Sequence, residues 1–110
     1  MVKFILLLST LITAVVAKLT YPTDGTVWKV GEPVSVTFAP GQPAETVNMY
    51  FSHDRSIVIG SGPISEGGSF EFIVPPNAVN PAGGPAELVV IHRVDLHLYS
   101  VDTIAIQIEG

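Results

Sequence analysis

The sequence predicts an all-β domain in which two sheets, built from about seven short strands, pack face to face. Three observations carry that expectation. Apolar and polar residues alternate with period two, most clearly in Val34-Ser35-Val36-Thr37-Phe38 and Val47-Asn48-Met49-Tyr50-Phe51, the signature of strands with one dry face and one wet face. Turn-forming clusters of Gly, Pro and Asp recur at roughly the 8–12-residue spacing of small sandwiches. After Ala17 no stretch shows a helical period. A length of 110 residues leaves room for one domain, and a 47% hydrophobic, 14% charged composition places it among packed rather than disordered chains.

The first residues are read apart from the fold. Met1-Val2-Lys3, the apolar run beginning at Phe4, and Ala14-Val15-Val16-Ala17 give a basic start, an apolar centre and a small-residue end, which is a secretory leader. The expected cut follows Ala17, so that residues 1–17 are leader, residues 18–110 are the domain and the mature chain starts at Lys18. Ser9, Thr10 and Thr13 interrupt the apolar run too early for a membrane span, and no stable membrane insertion is expected once the leader is gone.

The strands follow in order. Runs at 26–30 and 34–38 flank Gly31-Glu32-Pro33, where a permissive residue and one of fixed φ force a break. Residues 39–45 hold Pro40, Gly41 and Pro43 and read as a surface bridge ending at Glu45. A strand at 46–52 turns at His53-Asp54-Arg55 into a short strand at 56–60, which Gly60 to Pro63 is expected to end. Phe70, Phe72 and Val74 share one face of a strand expected to be central, and 77–85, Asn-Ala-Val-Asn-Pro-Ala-Gly-Gly-Pro, is the longest loop. In the strand at 87–94, Leu88-Val89-Val90-Ile91 is apolar on both parities, as where both faces are covered. Ile104, Ile106 and Ile108 put one face of the closing strand into the core. The fold class is thus a two-sheet sandwich of the immunoglobulin or fibronectin-III type, with a jelly roll or small barrel as the structural alternative.

Pro22, Gly25, Trp28, Gly31 and the strand 34–38 stand in the order found at the start of one known family. Gly68-Ser69-Phe70-Glu71-Phe72-Ile73-Val74-Pro75 and Tyr99-Ser100 with Thr103-Ile104-Ala105-Ile106 match its later pieces. The chain resembles the immunoglobulin-like N-terminal domain of the fungal cell-wall β-1,6-glucan-synthesis (killer-toxin-resistance) family, also seen in Ser/Thr-rich glycolipid-anchored fungal surface proteins. The resemblance covers nearly all of the mature chain. It implies a secreted or wall-associated, non-catalytic domain that recognises wall polysaccharide, and it assigns Trp28 to sandwich packing. The chain departs from long members of that family in lacking a Ser/Thr-rich stalk and an apolar anchor signal.

Composition excludes some functions. Beyond Ala17 the cations are Lys18, Lys29, Arg55 and Arg93 against ten carboxylates, a net charge of 4 − 10 = −6, so nucleic acid is not an expected partner. There is no cysteine, so burial alone must stabilise a secreted fold. None of the asparagines sits in a glycosylation sequon.

No constellation points to catalysis. There is no Gly-x-Ser-x-Gly elbow, and Glu66, Glu71 and Glu87 fall in turns or on outward strand positions rather than as a working pair. Gly60-Ser61-Gly62 and Gly83-Gly84 lack the strand-to-helix setting of a phosphate loop. His92, Asp95 and His97 lie close in sequence, but a strand puts His92 on the opposite parity from the other two, so they read as exposed strand-end residues and no metal or cofactor is expected.

The binding candidates are aromatic: Tyr21, Trp28, Tyr50 and Tyr99, each able to stack on a sugar ring if exposed. The expected function is surface recognition outside the cell, with neutral wall glucan as the ligand and a secreted protein partner as the alternative. A stripe of exposed aromatics along a polar groove favours glycan, whereas a flat apolar patch favours protein.

Overall fold

The computed structural model describes residues 17–110; apart from Ala17, the predicted leader lies outside them. Among the described residues eight strands form: β1 (Leu19–Tyr21), β2 (Thr26–Lys29), β3 (Pro33–Phe38), β4 (Glu45–Phe51), β5 (Asp54–Pro63), β6 (Gly68–Ile73), β7 (Ala86–Val94) and β8 (His97–Glu109). One sheet has the order β1-β3-β6 and the other β2-β8-β7-β4-β5. Every pairing is antiparallel except β2 with β8, where Trp28 stands opposite Ile108. The first described strand, β1, thus lies in the smaller sheet, and the chain crosses to the larger one after Pro22, whose peptide bond with Tyr21 is cis.

The period-two pattern sets the core. Val36 and Phe38 of β3, Val47, Met49 and Phe51 of β4, Ile57 and Ile59 of β5, Leu88 and Val90 of β7, and Ile104, Ile106 and Ile108 of β8 all face inward and are buried. Aromatic rings join the sheets. Trp28 of β2 stands edge-on to Phe72 of β6, with centroids 5.5 Å apart, and Phe38 of β3 is edge-on to His92 of β7 at 6.1 Å.

Several expectations are corrected. The strand carrying Phe70 and Phe72 is an edge of the three-stranded sheet, not its centre, because β6 has only β3 to pair with. The strand at β5 does not end at Gly60 but runs on to Pro63. Gly60 and Gly62 lie beneath the ring of Phe70, where a Cβ on Gly60 would come within 3.0 Å of it, so Gly60 makes room for an aromatic rather than a turn. The apolar run on β7 is central in its sheet, with β8 and β4 on either side. On its outer parity Val89 is buried and Ile91 half-buried.

Two junctions keep the loops in place. The loop expected at 77–85 opens with a short 3-10 turn at Pro76–Ala78, buries Ala78, and is closed by the Asn80 amide, which donates to Pro85 O at 3.0 Å while its oxygen accepts from Ala82 N–H. His53 Nε2 lies 2.9 Å from Asn77 O and ties this loop to the β4–β5 turn.

Candidate functional site

The four aromatic candidates do not converge. Trp28 is 1% exposed; its indole N–H donates to the Tyr21 hydroxyl at 3.2 Å. Trp28 is thus a core residue and no ligand platform, because its ring is enclosed among Phe72 and the β8 isoleucines. Tyr21 remains partly exposed on β1. Tyr50 faces outward on β4 with the Arg55 guanidinium 4.7 Å from its ring centroid, so a cation already lies on that face. Tyr99 is exposed near the start of β8.

What the fold does bring together is a chain of three ionisable side chains. Glu45 and His92 are both 0% exposed. His92 Nδ1 lies 3.1 Å from Glu45 Oε2, and its Nε2 lies 3.0 Å from Oδ2 of Asp102, which is 53% exposed. A carboxylate only accepts, so both contacts are hydrogen bonds when both ring nitrogens carry hydrogen. Glu45 also accepts from the Gln42 N–H at 2.8 Å and lies 3.0 Å, through each of its oxygens, from the nitrogen of Ala17.

Two features hide this network from a reading of the sequence. Glu45 follows a turn-rich bridge and looks like its last surface residue, but it opens β4 with the same inward parity as Val47 and Met49; that parity is the available signal. His92 stands beside Asp95 and His97 and looks like an exposed strand-end residue, yet it shares the inward parity of Leu88 and Val90. Asp95 and Leu96 instead form the two-residue β7–β8 turn, with φ of 52° and 68°, and His97 points to solvent. Among the described residues no group of three or more His, Asp or Glu could hold a metal ion.

Asp102 opens onto a cleft of about 590 Å³ between the β1 edge and β8, where the inner face of β8 extends beyond the smaller sheet. Leu19, Pro22 and Ile104 give it an apolar wall, and Thr23, Ser100 and Thr103 offer hydroxyls. Asp24 also lines it, but that carboxylate accepts the Ala105 N–H at 2.8 Å and helps hold β2 against β8. The arrangement offers a carboxylate backed by an imidazole, able to accept hydrogen bonds from hydroxyl or amine donors.

A second surface lies on the opposite side of the larger sheet. The register places Val58, Tyr50, Val89 and Thr103 in one transverse row, Ser61, Asn48, Ile91 and Val101 in the next, and Pro63, Thr46, Arg93 and Leu98 in a third, all with outward parity. Val58, Val101 and Leu98 are 61%, 50% and 66% exposed. These rows contain none of the ten carboxylates, and Arg93 within them and Arg55 over Tyr50 supply two of the four cations beyond Ala17.

One acid among the described residues, Asp54, is shifted by its neighbours and belongs to neither surface. The Ser56 hydroxyl and then the Ser56 N–H donate to Asp54 Oδ1 and hold that carboxyl below its ordinary value of 3.8.

No family model and no curated protein matches the chain. Solved structures do. The fibronectin(III)-like modules of CbhA from Clostridium thermocellum are similar over 84% of this chain and 95% of theirs, with 21% identity and a TM-score of 0.60. A variant of the superoxide reductase (neelaredoxin) from Ignicoccus hospitalis is similar over 87% of this chain and 82% of its own, with 15% identity and a TM-score of 0.57. At these identities the likeness is one of fold. The chain is an all-β sandwich of the immunoglobulin or fibronectin-III type.

Proposed function

We propose that this chain is a non-catalytic extracellular recognition module whose contact surface is the outer face of the five-stranded sheet and whose partner is another protein. One observation carries the reading: three adjacent acid-free rows on that face, with exposed Val58, Val101 and Leu98 around Tyr50, Val89 and Ile91, in a chain whose net charge is otherwise acidic. Scattered single apolar residues need no explanation, but a contiguous row across four strands is the kind of surface protein interfaces use. The arginines at its margin suit a neutral or acidic partner. The fibronectin(III)-like likeness is compatible with an accessory module of this kind.

Wall glucan is the second reading. It is supported by the resemblance of the sequence to wall-synthesis domains and by the cleft beside Asp102, where hydroxyls and one carboxylate face an apolar wall. The aromatic stripe that would favour it is missing from the described residues, since Trp28 is internal and Tyr50 is covered by Arg55.

Secretome co-purification on exported protein, run beside binding to insoluble β-glucan and chitin, separates the two. Val58→Asp and Val101→Asp should abolish capture of a specific partner while leaving the melting temperature within a few degrees of wild type, as surface changes do. Retention on glucan that survives Val101→Asp and is lost with Asp102→Asn would overturn the protein-partner reading in favour of the cleft.

A further inference from the structure

The described chain begins inside the protein. Ala17 is 1% exposed and belongs to the same core cluster as Trp28 and Phe38. Its nitrogen lies 3.0 Å from both carboxylate oxygens of Glu45, a side chain with no exposed surface. A peptide N–H has one hydrogen to give. An α-ammonium has a positive charge and three, and a nitrogen equidistant from the two oxygens of a carboxylate is placed to use more than one of them.

The surroundings are built around that nitrogen. Gly41 has no positive φ that would require glycine, but a Cβ there would stand 2.9 Å from the Ala17 nitrogen, 2.6 Å from the Ala17 methyl and in collision with Glu45 Oε1. Gly41 is thus glycine for lack of space. The charges point the same way. The titratable groups of the network are Glu45 on β4, His92 on β7 and Asp102 on β8. Asp102 is half exposed and meets water, so Glu45 is the carboxylate left inside, and the interior tolerates a carboxylate only when it is paired. Gln42 contributes a neutral N–H and no charge. Among the described residues, the groups facing Glu45 are the His92 ring, the Gln42 N–H and the Ala17 nitrogen, and the Ala17 nitrogen is the one that lies within reach of both carboxylate oxygens.

We infer that Ala17 is the first residue of the mature protein and that its α-ammonium is the charge partner of buried Glu45. The inference rests on the leader reading of residues 1–17 and moves the expected cut one bond upstream, from after Ala17 to the Val16–Ala17 bond. Hydrolysis adds water across that bond: the hydroxyl goes to the Val16 carbonyl, a hydrogen goes to the Ala17 nitrogen, and the freed amine, with an ordinary pKa of about 8, takes up a further proton at neutral pH. Removal of the leader thereby creates a cation beside the buried Glu45 carboxylate. A cut after Ala17 would take away both this nitrogen and a buried methyl.

The full precursor, expressed in a secreting host, tests the site of cleavage: N-terminal sequencing and intact mass of the exported protein should give Ala17. A chain beginning at Lys18 or Val15, or retaining Met1, overturns the inference. The charge is tested on chains of residues 17–110, which contain all eight strands. Nα-acetylation keeps one N–H and removes the charge, so it should lower the melting temperature by at least roughly 4 °C. Glu45→Gln, which keeps the shape and an acceptor oxygen, should remove most of the difference between free and acetylated forms. An acetylated chain that melts with the free-amine chain, or a difference that persists unchanged in Glu45→Gln, shows that the ammonium is not the partner.

Discussion

Replacing Glu45 by Ala is the most direct test of the buried network. The substitution deletes the acceptor of the Gln42 N–H and of the Ala17 nitrogen, and the carboxylate facing His92 Nδ1, all in a region closed to water. A buried donor left unpaired costs about 1–3 kcal/mol, and removal of one partner from a buried charged pair costs about 3–5 kcal/mol. The same groups appear in both figures, so they overlap rather than add. The expected loss is therefore about 3–5 kcal/mol, against a total of roughly 5–14 kcal/mol for a domain of this size. At roughly 4–8 °C per kcal/mol the melting temperature falls by more than about 10 °C. Urea unfolding followed through Trp28, the single tryptophan and a buried one, measures this directly. Glu66→Ala, at an exposed turn, is the control. A Glu45→Ala chain within about 1 kcal/mol of that control, at unchanged m-value, would refute the assignment of Glu45 to the interior.

Two further outcomes follow from burial and from the one shifted acid. Phe51→Ala should cost about 3–5 kcal/mol because its ring is wholly enclosed, whereas Phe72→Ala, half-buried on an edge strand, should cost clearly less, about 2 kcal/mol; paired chemical denaturation gives the order, and the reverse order would mean that the strand placement is wrong. Asp54→Asn should lower stability slightly near neutral pH, since the depressed folded pKa of Asp54 contributes stability above its ordinary 3.8 that is lost as pH falls through the lower folded value. Melting curves of both chains should converge in strong acid, and a gap that widens there would contradict the Ser56 contacts as its cause.

The period-two pattern by itself determined most of the fold. Alternation and turn residues signal seven of the eight described strands, although β5 runs on past Gly60 to Pro63, and the inward parities of Val36, Phe38, Val47, Met49, Phe51 and the three β8 isoleucines are readable one by one. β1 is three residues long and mostly exposed, too short to show a pattern. Parity says which side a residue faces but not which sheet it joins. For that reason the edge position of β6 and the Phe70 ring over Gly60 and Gly62 emerged only from the pairing and packing.

The candidate site was still less legible. Glu45 and His92 are 47 residues apart in sequence, and Asp102 joins them only because β7 lies between β4 and β8 in the sheet. A composition of ten acids and few cations fixes the sign of the surface, but only the register shows that three adjacent rows on the outer face of the larger sheet carry none of those acids, with Glu87 standing beside them. Local alternation is a property of neighbouring residues and survives in the sequence; the meeting of charges inside a sandwich depends on strand order, which tertiary packing alone decides.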